Sequence, residues 1–206
     1  MSKARLSLLI FFLVIILDQA LKIWVKTHMY LGESIGILPW FELLFVQNNG
    51  MAFGIELGSK LFLTVFRIVV AAAVLCYIWR IRHRADIPTG YVACFALIAA
   101  GAAGNIIDCM FYGLVFNDPM PPAVATMFPA AGGYAPFLMG KVVDMLYFPL
   151  FSFYWPDWVP VVGGEHFLFF QPVFNLADAA ITVGLLVLVI FYSKVFARAD
   201  AAPNAE

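Results

Sequence analysis

The sequence predicts an α-helical polytopic membrane protein with four spans, and three observations carry that prediction. Of 206 residues, 64% are hydrophobic and only 12% are charged, about half the charge of a soluble domain. Four apolar runs approach the roughly 20 residues a helix needs to cross a bilayer. The basic residues Lys3, Arg5, Arg80, Arg82, Arg84, Lys194 and Arg198 fall on one side once four spans are drawn. Lys and Arg concentrate on the cytoplasmic side, so both termini are expected there. Residues 1–198 form a single membrane domain in this outline, followed by a disordered tail, 199–206. The net charge is −1, which leaves no basic footprint for nucleic acid.

The first span is predicted over Leu6–Thr27. Lys3 and Arg5 ahead of Leu6–Leu17 have the look of a cleavable secretory leader. Asp18, Gln19, Lys22 and Lys26 follow instead of a small-residue cleavage site, so the segment is expected to be retained. Asp18 and Lys22 are four apart with the acid first, the favourable order for a helical ion pair. They either snorkel at the interface or help fix a polar site. His28–Ser59 is not a span. Ile35–Leu38 and Leu38–Val46 suggest a short hairpin on the membrane surface. Asn48, Asn49 and Gly50 then supply turn chemistry, with the Asn48 amide a candidate to point into a site.

The second span, Leu61–Trp79, carries one charge, Arg67. An intramembrane Arg implies a partner. The third, Tyr91–Cys109, ends in Gly101–Asp108, where Gly101, Asn105 and Asp108 share a face. Small residues allow close helix approach and polar ones bond across it. Tyr112–Pro172 is a long non-spanning stretch. Its first part, about 117–136, is an irregular Pro/Gly loop; its second, Phe148–Phe170, is rich in the aromatics that favour a bilayer interface. Between them Asp144 stands among apolar neighbours, which disfavours its charged form. The fourth span is predicted over Val173–Lys194, with Asn175 and Asp178 three apart on one helical face. Cys76 and Cys94 are expected as buried apolar side chains.

This topology places Asp18, Asn48, Asp108, Asp144 and Asp178 at one level near the outer surface. No Gly-x-Ser-x-Gly or HExxH motif is present, and His28, His83 and His166 are scattered over loops, so Ser/His and zinc chemistry are poorly supported. Two close aspartates sharing a proton remain, able to activate water without a cofactor or metal. A proton-coupled transporter or channel using the same acids, and a scaffold locked by them, are the rival readings. The first is weakened by acids lying at one level rather than across the membrane.

The set DQALK (Asp18–Lys22), NNGMAF (Asn48–Phe53), GNIID (Gly104–Asp108), VVDM (Val142–Met145) and FNLAD (Phe174–Asp178) resembles the bacterial lipoprotein signal peptidases, signal peptidase II. That resemblance implies a multi-pass inner-membrane aspartyl endopeptidase, with a small β-cradle and the long loop on the outer surface. It would cut prolipoproteins before the diacylglyceryl-modified cysteine, among membrane lipids; a monomer is sufficient for such a site. The catalytic pair it implies is Asp144 and Asp178. Asp18, Lys22, Asn48, Gly50, Gly101, Asn105, Asp108 and Asn175 are the implied supporting or substrate-binding residues. Asp108 is the substitute partner if the loop displaces Asp144. Cys109 stands where the family usually has Arg, so Arg67 is expected to supply charge near Asp108. The segments between Asp108, Asp144 and Asp178 are longer than expected for the family.

Overall fold

The computed structural model describes residues 2–49 and 59–201, with side chains described as far as residue 195. Gly50 and the rest of the MAF motif lie outside the described residues, as does the end of the predicted tail. Among the described residues four helices are long and apolar enough to cross a membrane: α1 (Lys3–His28), α2 (Lys60–Ile81), α3 (Thr89–Ile107) and α5 (Leu176–Ala201). Ser2 and Ser59 cap the first two, each accepting from the backbone N–H three residues on. Serine is favoured there because it satisfies one of the orphan donors of a first turn.

α3 is the hub: α1, α2 and α5 all pack on it, and α1 also meets α5. Small residues make this possible. A Cβ on Gly101 would run into the Ala177 carbonyl, and one on Gly184 would lie 2.8 Å from the Cys94 carbonyl oxygen. α5 therefore approaches α3 backbone to backbone. At the other end of the bundle Lys3 Nζ donates to the Arg84 carbonyl at 2.5 Å, which joins the start of α1 to the α2–α3 turn. Cys94 is buried as expected, but Cys76 is exposed. It lies on the outward face of α2, a helix with few buried positions.

Helix α3 does not stop where the sequence suggested. It runs into a π-helical segment, Asp108–Tyr112, and a last turn, α4 (Gly113–Val115). One extra residue per turn there is a common device at functional sites. The fourth span also differs from expectation. Val173–Phe174 form a strand, Asn175 is the cap, and the helix begins at Leu176. Extended backbone before the cap, not a helical face, is what sets Asn175 against Asp178.

One antiparallel sheet gathers at the helix ends. Strands β1 (Ser34–Leu38) and β2 (Phe41–Asn48) form the expected hairpin. β3 (Val142–Tyr147) and β6 (Val173–Phe174) extend it in the order β1-β2-β3-β6. Val142, Val143, Asp144 and Met145 are all buried, so β3 is covered on both faces. Its β-branched run suits such a position. A second ribbon, β4 (Phe151–Tyr154) with β5 (His166–Phe169), stands apart from the sheet.

The Pro/Gly loop after α4 is irregular but tied down. Asp118 accepts from Lys141 at 2.6 Å and from Gln47 at 2.8 Å. Beneath it Lys26, buried, holds its ammonium 5.2–5.7 Å from the ring centres of Tyr134, Phe116 and Phe45. Those rings face the cation with the negative side of their quadrupoles. The loop, α1 and β2 thus share one cluster, which includes Val143 and Met145 on either side of Asp144.

Candidate active site

The site is built where α1, α3, β3 and α5 meet. Lys22 is fully buried, and its ammonium has three acceptors: Asp18 Oδ2 at 2.9 Å, Asp108 Oδ2 at 2.8 Å and Asn105 Oδ1 at 2.8 Å. Three donors thus meet three oxygens, which offsets much of the cost of burying the charges. Gln19 lies across the same acids. Its Nε2 is 3.1 Å from Asp18 Oδ2, 2.9 Å from Asp108 Oδ1 and 3.1 Å from the Gly104 carbonyl oxygen, while Tyr112 donates to its Oε1 at 3.0 Å.

Asp18 and Asp108 each hold one backbone N–H from a distant element. Asp18 Oδ1 accepts from Ala177 N at 2.9 Å, and Asp108 Oδ2 from Val143 N at 3.2 Å. Ala177 and Val143 each precede another aspartate by one residue. Asp18 therefore fixes the start of the helix carrying Asp178, and Asp108 fixes the strand carrying Asp144. Gly104 leaves room for the first of these arrangements: a Cβ there would lie 2.7 Å from Asp18 Oδ2.

Asn175 and Asp178 form a reciprocal cap. The Asn175 side-chain oxygen accepts from Asp178 N at 2.9 Å, and Asp178 Oδ2 accepts from Asn175 N at 3.3 Å. This is a capping box with Asp in place of the usual Glu or Gln. The free amide of Asn175 reaches the other way, to Asp144 Oδ1 at 2.6 Å and Asn105 Oδ1 at 3.1 Å. Asn105 in turn donates to Asp178 Oδ1 at 2.7 Å. Two asparagines therefore join Asp144 to Asp178. Asn48 also hydrogen-bonds Asp144 through its side chain. The register explains this: Val46 lies opposite Asp144 and Asn48 opposite Val142, which puts Asn48 diagonal to Asp144 on one face.

The two linked acids differ in environment. Asp144 is buried, while Asp178 is partly exposed. Burial first, then the nearby Asp178 carboxylate, pushes the Asp144 carboxyl up to about 7 against the opposing pull of the Asn175 hydrogen bond. A carboxyl with that value stays protonated well above the ordinary range.

Every expected site residue that is described takes part in this network or its packing. Gly101 acts through the α3–α5 contact rather than by lining the acids. The expectation for Arg67 is corrected: Asp108 takes its charge from Lys22, and Arg67 Nη1 sits 3.6 Å from Cys109 Sγ. Arg67 is on α2, whereas Lys22 reaches Asp108 directly from α1. Gln19 and Tyr112 were missed as site residues. An amide one residue from a buried acid in a spanning helix was the available signal for Gln19; Tyr112 depends on the π-helical turn, which has no clear sequence mark.

The family model described as Signal peptidase (SPase) II matches residues 10–194. A protein named lipoprotein signal peptidase from Porphyromonas gingivalis is 47% identical over 182 residues, 88% of this chain and 80% of that protein. Another of that name, from Amoebophilus asiaticus, is 38% identical over 184 residues, 86% of this chain and 73% of that protein. A solved structure of a bacterial membrane enzyme superposes with a TM-score of 0.61 at 23% identity, covering 97% of this chain and 93% of its own. A second, at 24% identity, has a TM-score of 0.59 and covers 91% and 92%. These two show a shared fold, and the sequence relatives show more: the chain is a multi-pass membrane protease and belongs to the signal peptidase II family.

Proposed function

We propose that this protein removes signal peptides from lipidated prolipoproteins, cutting before the diacylglyceryl-cysteine, with Asp144 and Asp178 as the catalytic pair. The observation that carries the reading is the asymmetric dyad: a buried, proton-holding Asp144 joined through Asn175 and Asn105 to a partly exposed Asp178. On this reading the enzyme lies in the bacterial inner membrane with the sheet end outward and both termini in the cytoplasm, which the charge bias of the helix ends supports. The described site residues all come from one chain, so a monomer suffices for this reading.

Asp178, with each oxygen accepting a hydrogen bond, serves as the ionised partner. It takes a proton from water as the water oxygen attacks the scissile carbonyl carbon. Asp144 gives its proton to the carbonyl oxygen. The tetrahedral intermediate then collapses, Asp144 recovers its proton, the C–N bond breaks, and Asp178 returns its proton to the leaving amine. Asn48 and Asn175 hold Asp144 in orientation, and Asn105 does so for Asp178.

The test is cleavage of matched lipidated and unlipidated precursors in lipid vesicles. The parent enzyme should cut only the lipidated one. Cleavage of both at equal rates would remove the lipid from the reading, and undiminished turnover by Asp144→Asn or Asp178→Asn would remove that residue from the dyad.

A further inference from the structure

Between Asp144 and Asp178 the chain makes one excursion, residues 148–172. Its base is closed by pairing of β3 with β6, Leu146 opposite Phe174 and Tyr147 opposite Val173. Its two legs therefore continue directly into the strand of Asp144 and the cap of Asp178. Beyond the base stands the β4–β5 ribbon, braced by paired rings: Phe151 stacked on Phe169 at 4.7 Å and Phe153 tilted against Phe167 at 5.0 Å. The tip is ordered by its own backbone bonds, Trp155 N to Glu165 O and Gly164 N to Trp155 O, both 2.9 Å. Yet it presents apolar side chains outward. Trp158 is 81% exposed and Val161 97%.

Such a surface needs an occupant, and three features point to lipid. The aromatic run is continuous with rings at the helix heads: Phe170 packs on Phe174, Phe174 on Phe148, and Phe148 on Phe41. Tryptophan and its aromatic neighbours are the residues of the headgroup level. The excursion contains Asp157 and Glu165 but no Lys or Arg, so attraction to anionic headgroups is not the driving force. A ribbon with open edges also suits shallow insertion, since unpaired backbone is not tolerated deeper.

We propose that the β4–β5 hairpin is an interfacial foot that sinks Trp158 and Val161 into the leaflet at the sheet end and couples that leaflet to the aspartate pair. The coupling to catalysis rests on the proposed peptidase reading; the insertion does not. Because both legs end at the dyad, the seated hairpin holds the site at the depth where a lipid-anchored substrate arrives.

The direct test keeps Trp158 as the only tryptophan, with Trp24, Trp40, Trp79 and Trp155 changed to Phe, in phosphatidylcholine vesicles. Brominated acyl chains should quench its fluorescence, acrylamide should not, and high salt should change neither. Strong acrylamide quenching without bromolipid quenching would overturn the insertion. Should that variant fail to fold, Val161→Cys with Cys76→Ser, labelled with an environment-sensitive dye, gives the same answer by a blue shift in vesicles or its absence. For the coupling, Trp158→Ser with Val161→Ser should raise KM for a lipidated precursor roughly tenfold in vesicles and leave micellar turnover unchanged. An equal loss in both media, or none in either, overturns the coupling. Inactivity of the parent itself would instead strike the peptidase reading and leave the quenching result standing.

Discussion

Two pairs of aspartates meet at one end of the helix bundle and are held in opposite ways. Asp18 and Asp108 share the Lys22 ammonium, share Gln19, and each holds one backbone N–H. Asp144 and Asp178 are held by asparagines and a helix cap, and among the described residues neither forms an ion pair. The same residue type at the same end of the bundle is thus tied to a cation in one pair and held by neutral amides in the other. Number and charge of partners, not residue identity, separates the two pairs.

The sharpest way to break this contrast is to neutralise each acid. Asp144→Asn and Asp178→Asn should each lower turnover of a lipidated precursor by about 10²–10⁴-fold, with the melting temperature in detergent nearly unchanged. Activity that survives, or a fold that collapses, would put the reactive acids elsewhere. Next comes the cation. Lys22→Met leaves two buried carboxylates without their charge partner and should cost about 3–5 kcal/mol of stability. A denaturant titration measures it, and adding Asp108→Asn should recover part of the loss. Gly104→Ala pushes a methyl against Asp18 and should cost about 1–3 kcal/mol by overpacking, again read from unfolding.

The proton inventory gives a smaller effect. With the Asp144 carboxyl raised to about 7, it is protonated below that value and ionised above it. The value of kcat/KM should therefore fall as pH rises past about 7, by up to roughly tenfold per unit, with an apparent midpoint belonging to the pair. A profile flat to pH 9 would deny Asp144 the acid role. Smallest is Arg67→Leu. Since Arg67 reaches only Cys109 Sγ within this network, stability should change by less than about 1 kcal/mol and cleavage should stay near the parent rate.

Much of this was legible in the residues. Composition and run length marked the four spans, and charge placement sorted the helix ends. The short hairpin follows from the richness of Ile35–Val46 in branched and aromatic residues. Asp18 with Lys22, and Asn105 with Asp108, were visible through helical spacing. The rest depends on pairings that local pattern does not encode. VVDMLY has strand propensity, yet its place beside β2 is a long-range choice. The apolar run after FNLAD predicts a helix, and the three-residue spacing of Asn175 and Asp178 fits one helical face, but a capping box has the same spacing. Arg67 is expected near Asp108 from its depth and from the family Arg that Cys109 replaces, whereas Lys22 reaches that acid at 2.8 Å. The Lys26 ring cage draws on three segments, and no single stretch announces it.

The π-helical segment at Asp108–Tyr112 also makes this helix end tolerant of length. Its wider winding spreads one extra residue over nearly the rotation of an α-helical turn. Deleting Phe111, whose ring is exposed, would therefore restore regular winding and leave Gly113–Val115 in nearly the same register. The change would fall on the backbone of the turn itself. Cys109 O and Met110 O accept from Gly140 N at 2.8 Å and Leu138 N at 3.4 Å, and a regular turn would compete for those carbonyls. The widened turn thus lends acceptors to the segment that leads into the strand of Asp144.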